Sequence, residues 1–159
     1  MHLAQLNVAQ HRFPMDAPEM ADFVAALDNI NALAERSTGF IWRLKDDGGD
    51  ATGLRMAGRD NLLVNLSVWR DLGSLRTFVY ETAHAAVMAR RAKWFEGFGG
   101  GHVALWWIAE GLTPDLAEAA RRLDRLHALG PTPAAFTFDA PFDEDGAPLS
   151  RSSPLQDHA

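Results

Sequence analysis

The stretch NLLVNLSVW, Asn61 to Trp69, carries two interleaved patterns. In a strand the side chains alternate between faces, so Leu62, Val64, Leu66 and Val68 form one row and Leu63, Asn65, Ser67 and Trp69 the other. The first row asks for a core. The second lines up an amide, a hydroxyl and an indole, where a solvated face would carry Lys, Glu or Thr and a buried face would stay aliphatic. We read the second row as one wall of a cavity that takes a small ligand.

The same alternation marks HLAQLNVAQ, His2 to Gln10, FIWRL, Phe40 to Leu44, and HVALWWIAE, His102 to Glu110, as three more strands. Apolar residues at helical spacing (Met20, Phe23, Val24, Leu27, Ile30) predict a helix from about Pro18 to Arg36, with Asp16 as its N-cap. A second helix is expected from about Leu72 to Phe95, capped by Asp71 or Ser74 and ended by EGFGGG. A third begins with Thr113 as N-cap and Pro114 in its first turn, and stops at Gly130. Ala135 to Phe138 suits a short edge strand. The segment KDDGGDATGLRMAGRD, Lys45 to Asp60, reads as a hairpin loop or a flap. The domain then spans residues 1–138, and the Pro-, Asp- and Ser-rich residues 139–159 read as a disordered tail.

This order, βαββαβ with a C-terminal helix, predicts an α+β fold of ferredoxin-like type, with an antiparallel sheet and helices on one face. The aliphatic row of the opening stretch is assigned to the helices, together with Leu6, Val8, Val103, Leu105 and Trp107. The opposite face then collects Gln5, Asn7, Trp42, Asn65, Ser67, Trp69, His102 and Trp106. Such a face needs cover, and a second copy, sheet against sheet, would supply it in a homodimer. The plainer alternative is that Asn7 and Asn65 bond each other across neighbouring strands and the tryptophans are interface mass.

Composition narrows the chemistry. A chain of 159 residues with 47% hydrophobic residues can build a core, and a net charge of −6 without a basic stripe argues against nucleic-acid binding. The run RRAK, Arg90 to Lys93, reads as a solvated helix face. With no cysteine there is no disulfide, thiolate or zinc ribbon. No apolar run is long enough for a membrane, and no signal-peptide pattern opens the chain, so the cytoplasm is expected. Six histidines without an HExxH or a close pair give no metal site, and GFGGG reads as a turn.

The phrases LAQLNVA, FVAALDNINALAERSTGFIWRL, LLVNLSVW, FVYETAHAAVMARRAKWF, HVALWWI and LGPTPAAFTF resemble the bacterial family catalogued as domain of unknown function 3291. The resemblance implies a dimeric α+β barrel like that of antibiotic-biosynthesis monooxygenases, and no particular activity. Within that superfamily the haem-degrading enzymes use an Asn on the first strand, a His on the second long helix and a Trp earlier on that helix. Asn7 and His84 match the first two; Leu75 and Phe78 stand where the Trp would be. Three functions follow as alternatives. One is cofactor-free oxygenation of a small apolar or aromatic ligand, with Asn65, Trp69 and His84 as catalytic candidates and Asn7, Trp42, Ser67, His102 and Trp106 as ligand contacts. Haem binding through His84 is the second, and a non-catalytic binding or scaffold protein the third.

Overall fold

The computed structural model describes residues 1–45, 62–96 and 102–150. Five strands and four helices follow in the order β1 (His2–His11), α1 (Ala21–Arg36), β2 (Phe40–Arg43), β3 (Leu62–Trp69), α2 (Leu72–Glu81), α3 (Ala83–Ala89), β4 (Phe95–Glu96), β5 (Val103–Ile108) and α4 (Leu116–Leu129). The long strands lie in the order β2-β3-β1-β5, every neighbour antiparallel. This is the ferredoxin-like topology expected from the element order. The two residues of β4 extend the β5 side of β1 at Gln10 and His11. The expected loop or flap at 45–60 lies, beyond Lys45, outside the described residues.

The two rows of the opening stretch are separated as alternation requires, but the sides differ from expectation. Leu62, Val64, Leu66 and Val68 pack with Ala4, Leu6 and Val8 of β1 and Ala104, Trp106 and Ile108 of β5 against Ala119, Leu123 and Leu126 of α4. Leu3, Trp69 and Leu105 lie instead under Ala34 of α1 and Leu75 and Phe78 of α2. The polar row therefore faces α1–α3, and the C-terminal helix takes the aliphatic face expected to meet them. Alternation sorts residues into two sets without saying which element covers which set. The stripe of α4 is entirely aliphatic, so it complements the smooth aliphatic row; burying each such Leu stabilises by roughly 1.5–3 kcal/mol.

Two tryptophans change sides as a consequence. Trp106 is fully buried on the α4 face, its ring 5.7 Å from the Arg122 guanidinium. Its register opposite Ala4, with Leu105 opposite Gln5, puts Val103, Leu105 and Trp107 on the polar row's face. Trp42 leaves that face through a register shift in β2: Phe40 pairs with Trp69, but Trp42 pairs with Val68, and it packs against the α4 core.

The second long helix is broken. Thr82 adopts an extended conformation, its Oγ1 donating to the Phe78 carbonyl and accepting from the His84 N–H. A β-branched Thr that caps the next helix favours a break over a continued helix. Beyond α3, Arg91–Lys93 form a single 3-10 turn, and Phe95, expected to end the helix, starts β4. Elsewhere, Pro18–Met20 form a 3-10 turn, and no side chain caps α1, so Asp16 has no capping role there. Asp71 caps α2 through the Ser74 N–H at 2.7 Å. Asp115, in place of Thr113, caps α4 through the Glu118 N–H at 2.7 Å.

The C-terminal segment also departs from expectation. The strand expected at Ala135 to Phe138 contracts to one bridge, Leu105 to Phe136, with hydrogen bonds of 2.8 and 2.9 Å. In place of the disorder expected from Asp139, residues 139–150 fold back on the sheet edge: Trp107 Nε1 donates to the Phe142 carbonyl at 2.9 Å, and Leu149 N–H donates to the Pro141 carbonyl at 2.8 Å. Residues 151–159 lie outside the described part.

Candidate functional site

Between the polar row and α1–α3 lies a cavity of about 460 Å³. That volume falls in the range of small-molecule sites, roughly 300–1,000 Å³. Its floor is the sheet, through Gln5 and Asn7 of β1, Asn65, Ser67 and Trp69 of β3 and Val103 of β5. Its roof is apolar: Phe23, Leu27 and Ile30 of α1, Phe78 of α2, and Val87 and Met88 of α3. His84, Arg91, Trp94 and His102 close one side.

The floor is partly knitted to itself. Trp69 Nε1 donates to Ser67 Oγ at 3.0 Å, and Ser67 Oγ donates to Gln5 Oε1 at 2.7 Å. Antiparallel pairing sets Gln5 opposite Ser67, which brings the two side chains together. This answers why a hydroxyl and an indole share the row: the Trp69 N–H, 1% exposed beneath Phe78 and Phe40, needs an acceptor. Trp69 thus serves as a wall whose donor is already used. Asn7 and Asn65, paired in register, are different. Both line the cavity, and Asn7 Oδ1 is buried with no hydrogen-bond partner among the described residues. The plainer alternative, in which the two amides satisfy each other, leaves that oxygen unaccounted for.

The two histidines enter by different routes. The break at Thr82 starts α3 afresh and leaves His84 half-buried beside Phe78, ring centroids 4.9 Å apart. Its Nδ1 lies 3.3 Å from the Val79 carbonyl, which can only accept; Nδ1 therefore carries the proton and Nε2 the lone pair. Burial depresses its pKa below the ordinary histidine value, and the bond to Val79 opposes this in part. His102 stands just before β5, with Arg91 at 2.8 Å from its Nε2. A guanidinium only donates, so His102 Nε2 is the acceptor and its ring is neutral. Burial, and then the Arg91 charge, lowers its pKa.

Of the residues expected at the site, Asn7, Asn65, Ser67, Trp69, His84 and His102 meet at this cavity, and Trp42 and Trp106 do not. Three further lining residues lie outside the sequence expectation. Asn31, 7% exposed, sits one turn after Leu27 in the apolar stripe of α1, and an amide at a core position was the available signal. Arg91 belongs to the run expected to form a solvated face. Trp94 is fully buried, its Nε1 without a partner. Among the described residues no group of three or more His, Asp or Glu side chains could hold a metal ion, and no helix is long and apolar enough to cross a membrane. Haem would need His84 Nε2 as its axial ligand. An amide-bearing floor of Gln5, Asn7 and Asn65 suits the polar edge of a smaller ligand better than the face of a macrocycle, so the residues fit haem poorly.

Fold and site together define an α+β domain of ferredoxin-like topology with a ligand-sized cavity between its sheet and three of its helices. Residues 2–152 match the family described as Domain of unknown function (DUF3291), and the chain belongs to that family. No curated protein sequence matches it. Solved structures with a similar chain path include SnoaB, a cofactor-independent oxygenase from Streptomyces nogalater, at 17% identity and a TM-score of 0.48, covering 70% of this chain and 96% of that one. A mutant of SnoaB gives 19% identity and a TM-score of 0.47, over 72% and 98% of the two chains. The NE2512 protein of unknown function from Nitrosomonas europaea gives 15% and 0.47, over 72% and 95%. Likeness at this level says nothing of what the present chain acts on.

Proposed function

We propose that the domain, as a homodimer, binds a small and largely apolar ligand with an acidic O–H in this cavity and oxidises it without a cofactor. The observation that carries the reading is the pairing of a ligand-sized apolar cavity with a half-buried imidazole, His84, whose Nδ1–H is held by the Val79 carbonyl and whose Nε2 keeps its lone pair. A neutral imidazole at the wall of an apolar cavity is a competent general base. It takes the ligand's O–H proton onto Nε2 and leaves the electron pair on the ligand oxygen. The anion so formed is electron-rich enough to reduce dioxygen directly, and a methylene of the ligand becomes a carbonyl. One oxygen atom enters the product as that carbonyl oxygen, and the other leaves as water with the two methylene hydrogens. All the electrons come from the ligand, so no outside reductant is required. Asn7 and Asn65 would orient the ligand's oxygens from the floor. Helices of the chain itself cover both sheet faces, so the sheet-to-sheet contact expected of a homodimer has no bare face to use. The edge of β2, unpaired among the described residues and with Ile41 41% exposed, is a surface on which two copies can meet.

The test is oxygen uptake with a panel of phenols and enolisable aryl ketones in which the ionised oxygen is conjugated to a methylene. Uptake should fall by roughly 10²-fold or more in His84→Ala, with the ligand still binding. Binding without uptake in the wild type would leave a non-catalytic carrier. The donor of Trp69 being already engaged by Ser67 favours that second reading.

A further inference from the structure

Arg91 carries more than the proposed reaction uses. It is one of three cations in RRAK, and the three part ways. Arg90 and Lys93 turn outward and share the carboxylate of Asp22, at 3.6 and 3.4 Å. Arg91 turns inward and lines the cavity, half-buried. Burial lowers its pKa, and among the described residues no neighbouring acid acts to raise it. Its one partner among the described residues is His102 Nε2, a neutral acceptor. Of the guanidinium's five N–H groups, the His102 bond uses one, and it fixes the plane of the fork. The cavity's other arginine, Arg43, is neutralised by Glu35 at 2.9 Å. Asp139 also lines the cavity, and no ion pair joins it to Arg91 within the described residues, where Arg91 bonds His102 alone.

A half-buried cation with no counter-ion among the described residues, held by a neutral ring at the wall of an apolar cavity, is the arrangement that recognises an anionic oxygen group. We propose that the ligand is an apolar acid whose carboxylate is bound by Arg91, with His102 as the positioning residue that orients the guanidinium. The inference rests on the cavity being the ligand site and adds the ligand's charge.

Two probes of the same shape, 2-naphthoate and 2-naphthamide, separate the claims by calorimetry. The wild type should bind the naphthoate roughly tenfold or more tightly than the amide, the effect of one charged hydrogen-bonded contact. Arg91→Met should abolish that preference while the naphthamide affinity stays unchanged, and Arg91→Lys should restore part of it. Arg90→Met, which alters a charge outside the cavity, should change neither. Equal binding of both probes to the wild type, or a preference that survives Arg91→Met, overturns the anion inference and leaves the cavity reading standing. If neither probe binds, or if Leu27→Trp, placed to fill the cavity, leaves both affinities unchanged in a protein that still unfolds cooperatively, the cavity reading itself fails and the inference with it.

Discussion

Replacing Ser67 by alanine tests how the floor of the cavity is built. Ser67 is 5% exposed and stands between two buried partners, accepting from Trp69 Nε1 at 3.0 Å and donating to Gln5 Oε1 at 2.7 Å. The substitution removes little volume but orphans a donor and an acceptor at once. An unsatisfied buried polar group costs roughly 1–3 kcal/mol. Gln5 borders the cavity and can recover a water; Trp69, packed between Phe40 and Phe78, has no such recourse. The expected loss is therefore about 2–4 kcal/mol, a large share of the roughly 5–15 kcal/mol that holds a typical domain together. Urea unfolding should show the midpoint falling by on the order of 1–2 M with the slope unchanged. A double-mutant cycle with Trp69→Phe sharpens the test. Trp69→Phe alone removes both packing and the indole donor, while in the Ser67→Ala background the donor is already orphaned, so the pair should cost about 1–2 kcal/mol less than the sum. A Ser67→Ala loss under about 0.5 kcal/mol with an additive cycle would refute the reasoning, and the hydroxyl and indole would then be free to meet a ligand.

The pH dependence has a definite sign. His84 and His102 both have folded pKa values below the ordinary histidine value of 6.5, so in the window beneath 6.5 the unfolded chain binds protons that the native chain refuses. Stability is then fully present above that value and declines as pH falls through the window, which thermal melts from about pH 7.5 to about 5 should trace, and His84→Gln should make the decline shallower. Gly39→Ala should destabilise by about 1–3 kcal/mol in chemical unfolding, since Gly39 has φ +84° and an added Cβ would collide with Ser74 Oγ. Hemin titration should give no Soret band at stoichiometric ratio; a band that vanished in His84→Ala would replace the small-ligand reading with a haem site. Light scattering should report twice the 17.5 kDa chain mass, and a stable monomer at micromolar concentration would remove the homodimer from the proposal.

The parts of the fold that follow from local periodicity were legible in the sequence. Strand alternation over Leu62–Trp69 and His2–His11 separated the two faces correctly, and Gly130 ended α4 where expected, while α1 stopped at Arg36 with Ser37 as its C-cap in place of Gly39. The sidedness was not legible. An alternating strand states which residues travel together, and only tertiary contact decides whether α4 or the α1–α3 layer covers each set. The bulge that turns Trp42 away left no local signal, because Phe40–Arg43 reads equally well in either register. The break at Thr82 was readable in principle, from a β-branched cap ahead of AHAAVMA, but helical spacing continued across it and masked it.

The polar row was expected on a face away from the helices and lies beneath α1–α3 instead, yet a cavity remains there for a physical reason. Native interiors pack almost without voids, so side chains ordinarily collapse into any gap that opens between a sheet and its helices. Here the gap of about 460 Å³ is many times the roughly 30 Å³ share of one water. It persists where small residues of α1 (Ala26, Ala34) meet short polar side chains of the floor. Aliphatic residues at positions 65 and 67 would have filled much of that space and stabilised the fold further. Amide and hydroxyl groups there instead leave it open, with Asn7 Oδ1 buried and unpartnered at its edge and Arg91 uncompensated by any acid among the described residues. Stability alone does not select that combination; under the proposed function a ligand with a polar edge and an apolar body would, because it would satisfy the orphaned groups and fill the volume in a single step.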